Sequence, residues 1–318
     1  MSYWSWNCSI TVRRRSASWG AISTGLSKNQ RISSAVMTVL LITHGASATA
    51  QRWRDRYQRW FEKRRQTVLQ LTTGATQDND ILTLHRYLER ANEVLILAGD
   101  GTLHWLVNQL TEAQAQRLIL SPIPCGTGND FARDLGLLRA DWRMREDEQL
   151  TLASVDIGEL HGTRFVNAAS RGLAADLVQR QGVRSKLWFG RVSYVLGVLA
   201  WWMRYQYQPH QANTPVLQSL LVGRFLGGGL CLAPQADRRH GLLTRVTVSA
   251  APRRQLLGVL WAVLRGRHAA HPLVRIEQQQ EFLLQASALE IDGEYYADPI
   301  AGAANVLRGF ITVRVARR

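Results

Sequence analysis

Twice in this sequence a short apolar run breaks off at a glycine turn and hands over to a helical pattern. Val94-Leu95-Ile96-Leu97 runs into Gly99-Asp100-Gly101-Thr102, and Leu118-Ile119-Leu120, ending at Pro122-Ile123-Pro124, opens onto Gly126-Thr127-Gly128-Asn129-Asp130. A strand with no polar face must be covered on both sides, and strand, turn and helix in repeated order build a parallel sheet with helices against it. An earlier run, Val36 to Ile42, supplies another strand of the same kind. Trp53, Tyr57, Trp60, Phe61 and Val68 then recur at helical spacing with arginines on the other face, a stripe that belongs to the core of an amphipathic helix. A second helix is expected near Asp80 to Arg90 and a third through Leu103, Leu106, Val107 and Leu110. Beyond about Asp141 the pattern turns to short β-type runs: Arg164 to Asn167, Val216 to Val222, Thr244 to Val248 and Leu289 to Ile291. They predict a mainly antiparallel second domain, interrupted by helices around Arg191 to Arg204 and Arg253 to Arg265. The expected class is α/β plus β, in a chain of 318 residues long enough for two domains.

The formal charge of +15 comes almost wholly from arginine, which suits a polyanion or an anionic membrane surface. No helix-turn-helix, zinc finger or RRM signature accompanies it, so no nucleic acid partner is expected. No run reaches the roughly 18 apolar residues of a spanning helix; the nearest, Val192 to Met203, is short and follows Arg191. Residues 1–36 carry Arg13, Arg14 and Arg15 with no acidic residue and read as a disordered basic extension, Met37 being an alternative start. Three cysteines at wide spacing, with no CxxC, indicate neither a disulfide framework nor zinc and fit a reducing compartment. His85, His104, His161 and His271 make no ligand pattern and read as structural. A helix end beside Cys125 would lower its thiol pKa.

Chemistry concentrates in the two glycine turns. Glycine leaves backbone N–H groups uncovered, so a phosphate can approach the main chain, and a helix beginning near Thr102 adds its partial positive end. Asp100 would then meet a magnesium ion, because phosphoryl transfer needs a cation bridging the nucleotide oxygens. Two such loops at the carboxyl edges of neighbouring parallel strands enclose a crevice, the usual ligand site of an open α/β sheet. Neither a Walker A loop nor a GxGxxG fingerprint is present.

With these loops, Val155-Asp156-Ile157-Gly158 followed by Phe165-Val166-Asn167, Gly227-Gly228-Gly229 with Pro234, Ala236 and Gly241-Leu242-Leu243, and Ile291-Asp292-Gly293-Glu294, the sequence resembles the catalytic domain of diacylglycerol kinases, sphingosine kinases and their bacterial lipid kinase relatives. The resemblance spans nearly the whole chain from Met37. It implies a nucleotide domain like that of NAD kinases and phosphofructokinases over 37–140, which 306–318 could complete. A β-sandwich lipid-substrate domain over 141–305 and an active site between the two are also implied. It further implies ATP and Mg2+ as cofactors, Gly99, Asp100, Gly101, Thr102, Gly126, Thr127, Gly128 and Asn129 at the nucleotide, and Asp100 and Asp130 in the magnesium network. Asp292 is implied as the carboxylate that deprotonates a lipid hydroxyl, with Glu294 beside it. Read without the family, Ile291 to Glu294 is a hairpin turn.

Departures from the family pattern are Ala98 for the first glycine of GGDGT and Trp105 where a glutamate is common, a large group that must pack or cover the cleft. Thr43 to Ser47 stands in place of NPxSG, and His240 for an aspartate that helps hold a structural magnesium, with Asp237 nearby. Leu187 to Arg191, Tyr194, Trp201, Trp202, Arg204 and Tyr205 combine aromatic anchors with cations, and Arg253, Arg254, Arg265 and Arg267 flank Leu256 to Leu264; both stretches suit an interfacial helix. The expected partners are thus a lipid substrate and anionic headgroups at the inner face of a membrane, for a cytoplasmic, peripherally bound protein. A homodimer is compatible with the sequence. The competing functions are an NAD kinase and a nucleotide- or membrane-binding module without turnover.

Overall fold

The structure is a computed structural model and describes residues 37–74, 77–180, 197–208 and 215–317. The amino-terminal half runs β1 (Thr38–His44), α1 (Ala48–Lys63), β2 (Thr67–Thr73), α2 (Gln77–Arg90), β3 (Glu93–Ala98), α3 (Asp100–Gln109), α4 (Glu112–Arg117), β4 (Ile119–Pro124) and α5 (Asp130–Asp134). Its strands are parallel in the order β2-β1-β3-β4, and β3 is buried at every residue. Val68, expected on the first helix, lies instead in β2. Arg65 adopts φ +56 and ends the helix, and the β-branched and aliphatic run from Thr67 pairs in register with Thr38 to His44.

The chain continues through β5 (Leu150–Leu160), β6 (Thr163–Phe165), β7 (Ala168–Gly172) and α6 (Leu173–Arg180) to a helix at 197–204, α7. It then forms β8 (Pro215–Leu221), β9 (Phe225–Leu226), β10 (Leu230–Cys231), β11 (Leu243–Ser249), α8 (Arg253–Leu264), β12 (Val274–Gln279) and β13 (Glu281–Ala286). A hairpin of β14 (Leu289–Ile291) and β15 (Glu294–Tyr296) precedes the long β16 (Ile300–Ala316). Strands β12-β11-β8-β7-β14-β15 make an antiparallel sheet. The first sheet does not stop at Asp141: β16 lies parallel to β4, β5 runs antiparallel to β16, β6 follows β5, and β13 pairs the first part of β16. The parallel sheet therefore passes without a break into the layer that faces the antiparallel sheet. Between those layers Leu160, Phe165, Leu220, Leu243, Phe282, Leu289 and Ala304 form a continuous apolar core.

One buried ionic cluster fastens the middle of the first sheet. Glu93, fully buried at the start of β3, receives Arg143 through two hydrogen bonds of 2.7 and 2.9 Å, Arg314 of β16 at 3.1 Å and the Ser121 hydroxyl of β4 at 2.5 Å. Burial works to raise the Glu93 pKa, but these hydrogen bonds and the two arginine charges outweigh it and hold the carboxyl below its usual range.

Candidate active site

Ala98 closes β3 as extended backbone, so the methyl group in place of a glycine is accommodated. Gly99 caps α3, which starts at Asp100 rather than near Thr102. The two glycine turns meet main chain to main chain: a β-carbon on Gly126 would lie 2.4 Å from the Gly99 Cα and 2.9 Å from its nitrogen. Asn129 stitches the second turn with its side chain, accepting from the Gly126 N–H at 3.0 Å and donating to the Gly126 carbonyl at 2.6 Å. It does so in a left-handed conformation, φ +54, which asparagine tolerates better than most residues.

The Asp100 carboxylate caps α5, accepting from the N–H groups of Asp130 at 2.8 Å and Phe131 at 3.1 Å. Burial raises its pKa. Asp130 accepts from the Gly228 N–H at 2.8 Å through Oδ2, so the Gly227-Gly228-Gly229 turn of the second domain reaches the second glycine turn of the first. All three of those glycines have positive φ, from +68 to +113. The other oxygen of Asp130, Oδ1, is buried with no hydrogen-bond partner among the described residues and lies 3.7 Å from the Arg133 Nε. Burial, with the charge of Asp100, pushes Asp130 up to about 6. A buried carboxylate oxygen without a donor, beside loops that a β-carbon would fill, fits a magnesium ion carried in with nucleotide phosphates, since Mg2+ commonly takes one or two protein carboxylates.

The DGE segment is a two-residue hairpin in which Asp292 and Gly293 both have positive φ, +48 and +92, the geometry of a type I′ turn. Its side chain is turned inward and wholly buried. Oδ1 accepts from the N–H groups of Asn167 at 2.8 Å and Ala168 at 3.0 Å; Oδ2 accepts from the Val166 N–H at 2.6 Å and meets the His104 Nδ1 at 3.0 Å. His104 lies on α3 four residues beyond Asp100, hence on the same face and about 6 Å along the axis. The hairpin from the far end of the chain is thereby tied to the helix that begins at the first glycine turn. Glu294 is exposed, with Oε2 3.9 Å from the His104 Nε2.

A second set of contacts keeps the domains in register. The buried Arg238 donates to Asp134 Oδ2 at 2.6 Å, to Asn167 Oδ1 at 2.7 Å and to the Val166 carbonyl, while Arg224 holds Asp134 Oδ1 at 2.6 Å. His104, read from the sequence as structural, and Asp134, Arg224 and Arg238, which no motif singled out, come to the site only through contacts distant in the chain. His104 carried one usable signal, its helical i,i+4 spacing from Asp100.

Trp105 packs against the core of the first domain. The Ser47 hydroxyl caps α1 by accepting from the Ala50 N–H at 3.2 Å. Asp237 is clasped by Arg239 at 2.9 and 2.7 Å, and the Arg308 side chain lies over Gly241. The Cys125 thiol is not lowered by a helix end; burial pushes it up to about 12. Trp201 and Tyr205 stack at 4.7 Å and pack against Val248, Ala251, Leu256 and Val259, so they face inward rather than serving as free anchors. Leu187 to Arg191 and Tyr194 lie outside the described residues. Among the described residues no helix is long and apolar enough to cross a membrane.

Residues 38–159 match the diacylglycerol kinase catalytic domain, and residues 168–314 match the YegS C-terminal NAD kinase beta sandwich-like domain. The chain is 31% identical over 223 residues to a protein of Chromohalobacter salexigens named "Probable lipid kinase YegS-like", covering 65% of this chain and 70% of that one. It is 27% identical over 217 residues to a diacylglycerol kinase of Bacillus subtilis, covering 64% and 71%. The crystal structure of a diacylglycerol kinase from Bacillus anthracis superposes with a TM-score of 0.60 at 17% identity, over 87% of this chain and 96% of the other, which establishes the shared fold. The chain belongs to the lipid kinase family that joins a diacylglycerol kinase catalytic domain to a YegS-type β-sandwich.

Proposed function

We propose that this protein transfers the γ-phosphoryl group of ATP to a hydroxyl of diacylglycerol or a related membrane lipid. One observation carries the reading: the Asp292 hairpin is hydrogen-bonded to α3, the helix that starts at the first glycine turn, so a carboxylate from the far end of the chain is tied to the phosphate-binding backbone. Gly99 to Thr102 and Gly126 to Asn129 would present main-chain N–H groups to the phosphates, and the amino end of α3 adds favourable potential there. Asp130, with Asp100 behind it, would hold magnesium, which when bound neutralises charge developing on the phosphoryl oxygens. The proton of the acceptor hydroxyl would leave to the cluster formed by Asp292, His104 and Glu294.

A lipid acceptor requires docking at a bilayer. Leu199 and Met203 of α7 and Leu257, Leu260 and Trp261 of α8 are exposed, and Arg254, Arg265 and Arg267 are exposed beside them. The Arg265 guanidinium sits 4.2 Å from the Trp261 ring centroid. Apolar side chains edged by arginine suit reversible attachment to the anionic inner leaflet. Incubating the protein with γ-labelled ATP, magnesium and mixed lipid vesicles should yield labelled lipid. Absence of labelled lipid, with a known lipid kinase active in parallel, refutes the proposal. Because both Asp100 oxygens already serve α5, nucleotide binding without turnover is the second reading; calorimetric ATP binding with no product on any lipid would favour it.

A further inference from the structure

We propose that His104 Nε2, rather than Asp292, takes the proton from the acceptor hydroxyl, and that Asp292 is a positioning residue for the imidazole; the inference rests on the phosphoryl-transfer reading above. A carboxylate offers about four lone-pair positions. At Asp292 three backbone N–H groups and the His104 Nδ1 fill them, and the side chain has no exposed surface. No site is left there for a substrate proton. His104 is nearly as buried, its side chain 5% exposed, but one of its two ring nitrogens is turned away from Asp292. Since the Asp292 carboxylate can only accept, Nδ1 carries the hydrogen, and in the neutral ring Nε2 keeps its lone pair. Nε2 is directed to the side where Glu294 is 59% exposed, one helical turn from the residue that closes the phosphate loop. Base and orienting carboxylate thus stand in the order familiar from hydroxyl activation by histidine.

The charges around the ring are consistent with this use. Burial draws the His104 pKa down, but the hydrogen bond and charge of Asp292, together with the charges of Glu294 and Glu290, outweigh it and raise the pKa above 6.5. Asp292 faces the ring from the hairpin turn, Glu290 from β14 and Glu294 from β15. From β6, Arg164 directs its guanidinium to the carbonyls of Val107 and Leu110 at the far end of α3, and the Asn108 amide donates to the His104 carbonyl. In the reaction the hydroxyl oxygen bonds to the γ-phosphorus as its proton passes to Nε2. The bond from that phosphorus to the bridging oxygen breaks, and ADP leaves with the electron pair. The imidazolium, held by Asp292, then returns its proton to solvent past Glu294.

The test is the pH profile of lipid phosphorylation at saturating magnesium and ATP, on vesicles of diacylglycerol and anionic phospholipid, for the wild type, His104→Gln and Glu294→Gln. The wild-type rate should climb with pH to a plateau, with a midpoint above 6.5. His104→Gln should lose roughly 10²–10⁴-fold in kcat at the plateau, with KM for ATP unchanged and no acid limb left beyond that of Asp130. Glu294→Gln, an exposed change that spares the fold, should move the midpoint to lower pH because one of the anions sustaining the imidazolium is gone. Asp130, pushed up to about 6, owes its shift first to burial and then to the charge of Asp100, so a limb from it would stay in place. Wild-type kcat in His104→Gln, or an unmoved midpoint in Glu294→Gln, overturns the assignment of His104 alone. An inactive wild type overturns the phosphoryl-transfer reading and this inference with it.

Discussion

Replacing Gly126 by alanine tests the contact between the two glycine turns most directly. The added β-carbon would stand 2.4 Å from the Gly99 Cα and 2.9 Å from the Gly99 nitrogen, where ordinary contact begins near 3.4 Å. Both obstacles are main chain and cannot swing aside, so the loops must part by about 1 Å. Overpacking of this kind costs roughly 1–3 kcal/mol of stability, and a displacement of that size at a reacting centre lowers turnover about 10²-fold. Transfer of label from γ-labelled ATP to lipid should fall by that order, nucleotide affinity should weaken, and the thermal midpoint should drop by several degrees. Gly74→Ala is the control: its β-carbon would meet nothing within 4 Å, so it should behave as wild type. Equal activity and equal stability in Gly126→Ala would refute the claim that the loops are seated against each other.

Further outcomes are expected elsewhere. Glu93→Gln leaves the buried Arg314 without its counter-ion and Arg143 with only the exposed Asp147 at 3.6 Å, and should cost about 3–5 kcal/mol in denaturant unfolding. Because the folded pKa of Glu93 is depressed, its stabilisation is present above the ordinary value of 4.5 and is lost as pH falls through the lower folded value; the variant should lack that part of the acid sensitivity. Asp130 is raised to about 6, so magnesium-nucleotide binding should tighten as pH rises through 6 and release a proton below it, seen by calorimetry in two buffers. The same raised pKa makes the Asp130 contribution to stability fall as pH climbs from 3.8 toward 6. Arg254→Glu, Arg265→Glu and Arg267→Glu together should weaken sedimentation with anionic vesicles by about 1 kcal/mol, roughly fivefold, or more per residue, and flatten its salt dependence.

How much of this was legible in the sequence follows from how far apart the interacting residues lie. The β3 and β4 turns could be read because strand, glycines and helix are consecutive, and their chemistry is main-chain chemistry. Strand β2 could not, since Val68 continues the helical stripe of Trp60 and Phe61 and the break rests on one backbone angle at Arg65. The place of β5 and β16 in the first sheet is set by pairing across more than 140 residues, as in Ala316 with Leu150, which no local pattern encodes. His104 looked like an isolated histidine because its partner is 188 positions away, and Asp134 finds Arg238 at a separation of 104.

The position of β16 bears on how the molecule is made. It follows every other described strand in the chain, yet it lies inside the first sheet, hydrogen-bonded to β4 on one side and β5 on the other. A polypeptide still leaving the ribosome must carry both neighbours with open edges until residues 300–316 arrive to fill the gap. Exposed, unpaired edges invite the wrong partner. Synthesis of this enzyme should therefore depend on chaperone protection late in translation, and amino-terminal fragments should accumulate as aggregates rather than as folded nucleotide domains.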